Sequence, residues 1–249
     1  MPTLTWLDGV PGNLLSAGLA FAAAQLYARW RRRSSLGHLA RLAQGRSVQI
    51  IIPDFQVADF SIQGTTARAR IPLNVRVMPM AEGAAIAELV QSLRAIGVRK
   101  VILATQHDYQ DTFDLTITVG GPSVNRVSGQ VLGRCFPAFH LKYPEHIAAY
   151  GSMSLEPKFD AAGALLEDYG FIGVGRTLAG KRCIVLCGIW APGTYIATVA
   201  LLRKVPRRSE ASNLIKADAD FMVISHAELV DLSIGEARIV ALHRAKDAS

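Results

Sequence analysis

Cysteine is scarce in this chain, and what there is excludes a zinc module: Cys135, Cys183 and Cys187 are an odd number without metal-type spacing. Cys183 and Cys187 fall four apart on one side of an expected strand and read as free buried thiols in a reducing compartment. Histidine gives no metal pattern either, since His140, Glu145 and His146 crowd together without an HxxxH or HxH pair. No metal is therefore expected. Lysine is missing where a P-loop needs it. Gly188 and Gly193 have the P-loop spacing, but Thr194 and Tyr195 follow, which argues against ATP or GTP hydrolysis by that route. No G-x-G-x-x-G occurs, which argues against a standard NAD site, and Gly173 and Gly175 sit in an alternating strand pattern with no helix after it. The nucleophile elbow of serine hydrolases fails by one residue, because Asn125 stands where the second glycine after Ser123 belongs.

Charge is absent from one long stretch. Residues 11–28 carry none, and four arginines then fall within residues 29–33, so much of the net charge of +7 belongs to one local feature and no nucleic-acid partner is expected. Half the residues are hydrophobic, with a mean hydropathy of +0.24. Twenty helical residues rise about 30 Å, enough to cross a hydrocarbon core. Trp6 on one side, and Tyr27 with Trp30 on the other, suit interfacial anchors. A cleaved signal peptide wants the opposite polarity, with its positive charge first. The expectation is thus a single-pass anchor in the lipid bilayer through residues 11–30, with the arginines and the following domain on the cytoplasmic side of the cell membrane. A helix lying on the membrane surface, or packed on the domain, is the alternative.

Residues 1–33 are accordingly read as anchor and basic flank, 34–46 as a juxtamembrane linker with a short helix and a solvated His38, and 47–249 as one cytoplasmic domain. In that domain the β-branched run at 48–52 reads as a strand buried on both faces that delivers Asp54 at its carboxyl end. Residues 55–80 lack a period and carry Arg68, Arg70 and Arg76, a solvated basic loop or a lid that reaches an anionic ligand. A helix follows from Ala81, with Ile86, Leu89, Val90 and Leu93 on one stripe and Gly97 as its stop. Residues 98–105 read as a second buried strand ending in Gln106-His107-Asp108. There a loop is the simpler reading, and a base with its orienter the sharper one. Residues 153–159 and 169–176 suggest an antiparallel pair, with Glu167-Asp168 as a solvated turn unless it reaches the cleft, and 220–225 with 237–242 an edge hairpin.

Two glycine turns carry the functional expectation. The apolar strand at 115–119 runs into Gly120-Gly121-Pro122, with Pro122 at the first helical position and Ser123, Asn125 and Ser128 around the helix start. The strand at 182–188 runs into IWAPGT and a helix through Leu202. The two turns resemble, over these few residues alone, the glycine loops of Rossmann-like nucleotide-binding proteins of the LOG and SLOG kind. The acidic residue those families carry after the loop is missing, Ala197 and Thr198 occupying that region.

The expected fold class is therefore α/β, a Rossmann-like three-layer domain with a mostly parallel sheet, preceded by one transmembrane helix. Its ligand would be an anionic small molecule, nucleotide-like or otherwise phosphorylated, held by Gly120, Gly121, Pro122, Ser123, Asn125, Gly188, Gly193 and Thr194. A sensor or regulatory module that oligomerises with its own copies through the small residues of the anchor is one expectation. A hydrolase or transferase using Asp54 or Asp108 as acid or base, with Ser123 positioning the substrate, is the second, and a structural membrane scaffold the third. No cofactor is named by any motif.

Overall fold

The computed structural model describes residues 36–43, 47–54, 59–61, 68–70, 78–142, 145–205, 208–230 and 233–245. The elements run α1 (Gly37–Ala43), β1 (Ser47–Ile51), β2 (Asp59–Ser61), β3 (Arg68–Arg70), α2 (Met80–Ala95), β4 (Lys100–Ala104), β5 (Leu115–Val119) and α3 (Arg126–Cys135). Then come β6 (Phe139–Lys142), β7 (Ile147–Tyr150), β8 (Met153–Leu155), β9 (Lys158–Phe159), β10 (Leu165–Arg176), β11 (Arg182–Gly188), α4 (Ala191–Arg203), α5 (Ser209–Lys216), β12 (Phe221–Val230), β13 (Ser233–Ile234) and β14 (Arg238–Arg244).

The chain is a mixed α/β fold. Its central sheet begins with four parallel strands in the order β4-β1-β5-β11 and continues antiparallel through β10, β12 and β14. β6, β7 and β8 form a small antiparallel sheet, and β2 pairs with β3 in the connection between β1 and α2. The expected edge hairpin is the β12–β14 pair. The expected partner of β10 is only the short β9, whereas β8 joins β7 instead.

Alternation along the strands splits the interior in two. On β11, Ile184 and Leu186 join the core made with Leu89 and Leu93 of α2 and Ala197 and Leu201 of α4, while Cys183, Val185 and Cys187 join the other, made with Val131, Leu132 and Phe136. Full burial of each such leucine or isoleucine contributes about 1.5–3 kcal/mol, so the β-branched runs are held where both faces are covered. Gly173 and Gly175 are strand glycines, as expected, and their bare backbones admit Phe136 and Cys135 against the sheet.

Three expectations are corrected. β4 is no buried strand: among the described residues it pairs only with β1, at the sheet's end, and Leu103 is 52 % exposed. His38, expected to be solvated, is buried, and Leu36, Leu39, Leu42 and Ala43 beside it enter the core with α2 and α5. The helix after the first glycine turn starts at Arg126 rather than Pro122, because Asn125 caps it. Among the described residues no helix is long and apolar enough to cross a membrane. The anchor expected at residues 11–30, and Arg76, lie outside the described residues.

Candidate functional site at the carboxyl edge

From β1 the chain crosses through α2 to β4 on one side and returns to β5 on the other. Strand order reverses between β1 and β5, and in an open parallel sheet the crevice at the carboxyl ends of such a pair is where ligands bind. Asn125 marks the spot. Its Nδ2 donates to the carbonyls of Ile51 and Val119, the last residues of β1 and β5, at 3.2 and 3.0 Å. Its Oδ1 accepts from the amides of Val127 and Ser128, which caps α3. Asn125 is thus 1 % exposed and spent on the fold, not offered to a ligand as the sequence suggested.

Three connections converge on this crevice. Asp54, just past β1, donates its amide to the carbonyl of Val124 at 3.1 Å. Gln106, past β4, accepts the amide of Arg126 at 2.8 Å and so ties the β4 loop to the start of α3. Gly120 closes β5 with φ at +89°, and a side chain there would strike Val124 and Pro53. This turn needs glycine on both counts.

The polar groups brought together differ from those the sequence paired. His107 Nε2 lies 3.2 Å from Asp54 Oδ2, the imidazole 63 % exposed and the carboxylate side chain 3 % exposed. A buried carboxylate behind an accessible imidazole is the arrangement that fixes a general base. Asp108 is not that partner: its Oδ2 accepts from Thr105 Oγ1 at 2.7 Å in a local turn. Ser123 is exposed on the GGP turn. The amides of Gly121 and Ser123 have no acceptor among the described residues.

Glu82, in the first turn of α2, also reaches this edge, with Oε1 3.5 Å from the place a Cβ on Gly120 would take. It is buried, and burial pushes its carboxyl up to about 7. Sequence reasoning passed over Glu82. One turn back along the stripe of Ile86, Leu89 and Leu93 falls on it, and an acid on the apolar face of a helix was the available signal.

The second glycine turn is adjacent, for β11 pairs with β5 and the amide of Gly120 donates to Leu186 O at 2.9 Å. Its amides, however, already hold a side-chain acceptor. Asp168 on β10 accepts from Gly193 N at 2.6 Å, Trp190 N at 3.2 Å and Tyr169 N at 2.8 Å. The residue is fully buried, and desolvation pushes its carboxyl up to about 7 against the pull of those three donors. Far from a solvated turn, Asp168 is the resident acceptor at the amino end of α4.

Gly188 and Gly193 serve close packing. A Cβ on Gly188 would overlap the backbone of Gly193, and one on Gly193 would overlap Tyr169 O and meet Asp168 Oδ2 at 2.7 Å. Thr194 is buried within α4. These three are taken up internally, which leaves Gly120, Gly121, Pro122 and Ser123 of the expected binding set at the crevice.

Other candidates lie elsewhere or are inert. Burial pushes the thiols of Cys183 and Cys187 up, the latter to about 12, so neither is a nucleophile at neutral pH. His146 stacks on Trp190 with ring centroids 4.1 Å apart, and His226 meets Glu167 at 2.9 Å. No cluster of three metal-ligating side chains occurs among the described residues. No family model, curated protein or solved structure matches the chain.

Proposed function

We propose that this Rossmann-like domain binds an anionic small molecule, nucleotide-like or otherwise phosphorylated, at the carboxyl edge between β1 and β5. The observation that supports it most is the pairing of two unengaged amides, Gly121 and Ser123, with the exposed imidazole of His107 around one strand-order reversal. Backbone donors and an exposed imidazole suit a phosphoryl group. Carried at the membrane by residues 11–30, and assembling with its own copies there, the domain would act as a sensor or regulatory module.

A second reading is favoured by one contact. Asp54 behind His107 is the geometry of a base with its orienter, and it fits a hydrolase or transferase acting on a phosphorylated nucleotide or sugar better than it fits a passive receptor. In that case Ser123 positions the substrate.

A thermal-shift screen of the full chain against nucleoside and sugar phosphates tests the first reading: a rise in Tm that disappears in His107→Ala supports it, and the absence of any stabilising phosphate sinks it. Turnover of a stabilising compound, lost in Asp54→Asn, distinguishes the enzyme from the sensor.

A further inference from the structure

Glu82 is the member of the crevice whose chemistry phosphate binding leaves unused. The residue is 3 % exposed, and its Oε2 has no hydrogen-bond partner among the described residues. The ordinary task of a glutamate in a first helical turn is closed to it. A capping-box glutamate reaches back to the amide of the N-cap residue, and here that residue is Pro79, which has no N–H. A buried oxygen left without a donor destabilises a fold, and such groups concentrate where a ligand completes them.

The location narrows what that ligand offers. Oε1 lies against Gly120, next to Gly121, whose amide is unengaged. A carboxylate and a phosphoryl group held that close repel each other unless the carboxyl keeps its proton, and the dry surroundings of Glu82 favour the neutral form. A neutral carboxyl both donates and accepts. The ligand group with the same double character, compact enough to sit beside a phosphate ester, is a hydroxyl.

Resting on the binding reading above, we propose that Glu82 is the specificity-determining residue of the site and that the ligand is a hydroxyl-bearing phosphate ester, of the sugar-phosphate or nucleoside-phosphate class. Its phosphoryl group meets the amides of Gly121 and Ser123, and one hydroxyl meets the carboxyl of Glu82. A site built around a hydrogen bond to a hydroxyl rejects the analogue that lacks one, because its own buried polar group is then left unpaired.

The test uses the full chain, with ribose 5-phosphate and n-butyl phosphate titrated calorimetrically into wild type, Glu82→Met and Glu82→Gln. The wild type should prefer ribose 5-phosphate by about tenfold or more. Glu82→Met, close in volume, should lose that preference while binding butyl phosphate as the wild type does, and Glu82→Gln should keep most of it. Without ligand, the Tm of Glu82→Met should equal or exceed that of the wild type, whereas a carboxyl with a structural task would lower it when removed. Equal affinity of the wild type for both esters, or an unchanged preference in Glu82→Met, overturns the role of Glu82 and leaves phosphate binding standing. A lower Tm in Glu82→Met, or its failure to fold, overturns it as well. If neither ester binds the wild type, both readings fall.

Discussion

Asp168 Oδ2 receives the amide of Gly193 at 2.6 Å, so the amino end of α4 is capped by a carboxyl group from β10. The turn that looks most like a phosphate loop in the sequence is thereby closed to phosphate. Removing that carboxyl group strips a cap and leaves buried amides unpaired. Asp168→Ala should cost about 3 kcal/mol, read as a clear fall in Tm, and added phosphate should not restore it. A variant as stable as the wild type would mean that Asp168 does not hold α4.

The glycines around that contact predict opposite outcomes by position. Ala at Gly170 would drive its Cβ into the backbone of Gly193 and Ala197, and Gly188→Ala would do the same to Gly193 and Thr194. Backbone on both sides leaves nothing to yield, so each should destabilise by roughly 2–4 kcal/mol. Gly133, inside α3 with nothing near its would-be Cβ, should instead gain about 0.5–1 kcal/mol as alanine. Denaturant titration of the three variants checks the ordering.

His107 and Asp54 should separate binding from folding. His107 is exposed, so His107→Ala should change stability by no more than about 0.5 kcal/mol, yet remove ligand-induced stabilisation. Asp54→Asn keeps the shape but weakens the orientation of the ring. It should reduce any turnover by a larger factor than binding. Equal losses of the two would show that Asp54 contributes only affinity.

Glu82 should leave its mark on the pH dependence of stability. Its folded pKa is raised to about 7 from the usual carboxylate value by burial. A carboxyl raised in this way binds more protons folded than unfolded. Its contribution is therefore complete below the unfolded pKa and is lost as pH rises through about 7. Relative to wild type, Glu82→Gln should gain stability between pH 5 and pH 8, by about 3 kcal/mol at most. Asp168 is common to both proteins and cancels in the comparison. A difference that is flat, or that grows in the other direction, would show Glu82 to be charged and compensated at neutral pH.

The parallel strands were legible because burial on both faces writes itself as continuous apolar runs, as in residues 48–52 and 115–119. β4 was misread for the same reason, since VILA looks alike in a central strand and in one with a single neighbour. The GGP turn kept its glycines and two unengaged amides, but its helix start shifted because a capping asparagine outranks a proline that merely fits the first position. The Asp54–His107 pair joins loops after two different strands, so no local spacing announces it. Asp168 was opaque for a related reason: whether an acid in EDY is solvated or buried depends on a helix terminus whose contacting amide, Gly193, lies 25 residues later.

Amide shifts decide the central claim most directly. In a 1H–15N titration of the full chain with ribose 5-phosphate, the resonances of Gly121 and Ser123 should move in step with the imidazole of His107, while those of Trp190 and Gly193, already bonded to Asp168, should stay in place. Movement at Gly193 with Gly121 and Ser123 still, or no movement at either turn, would contradict the account.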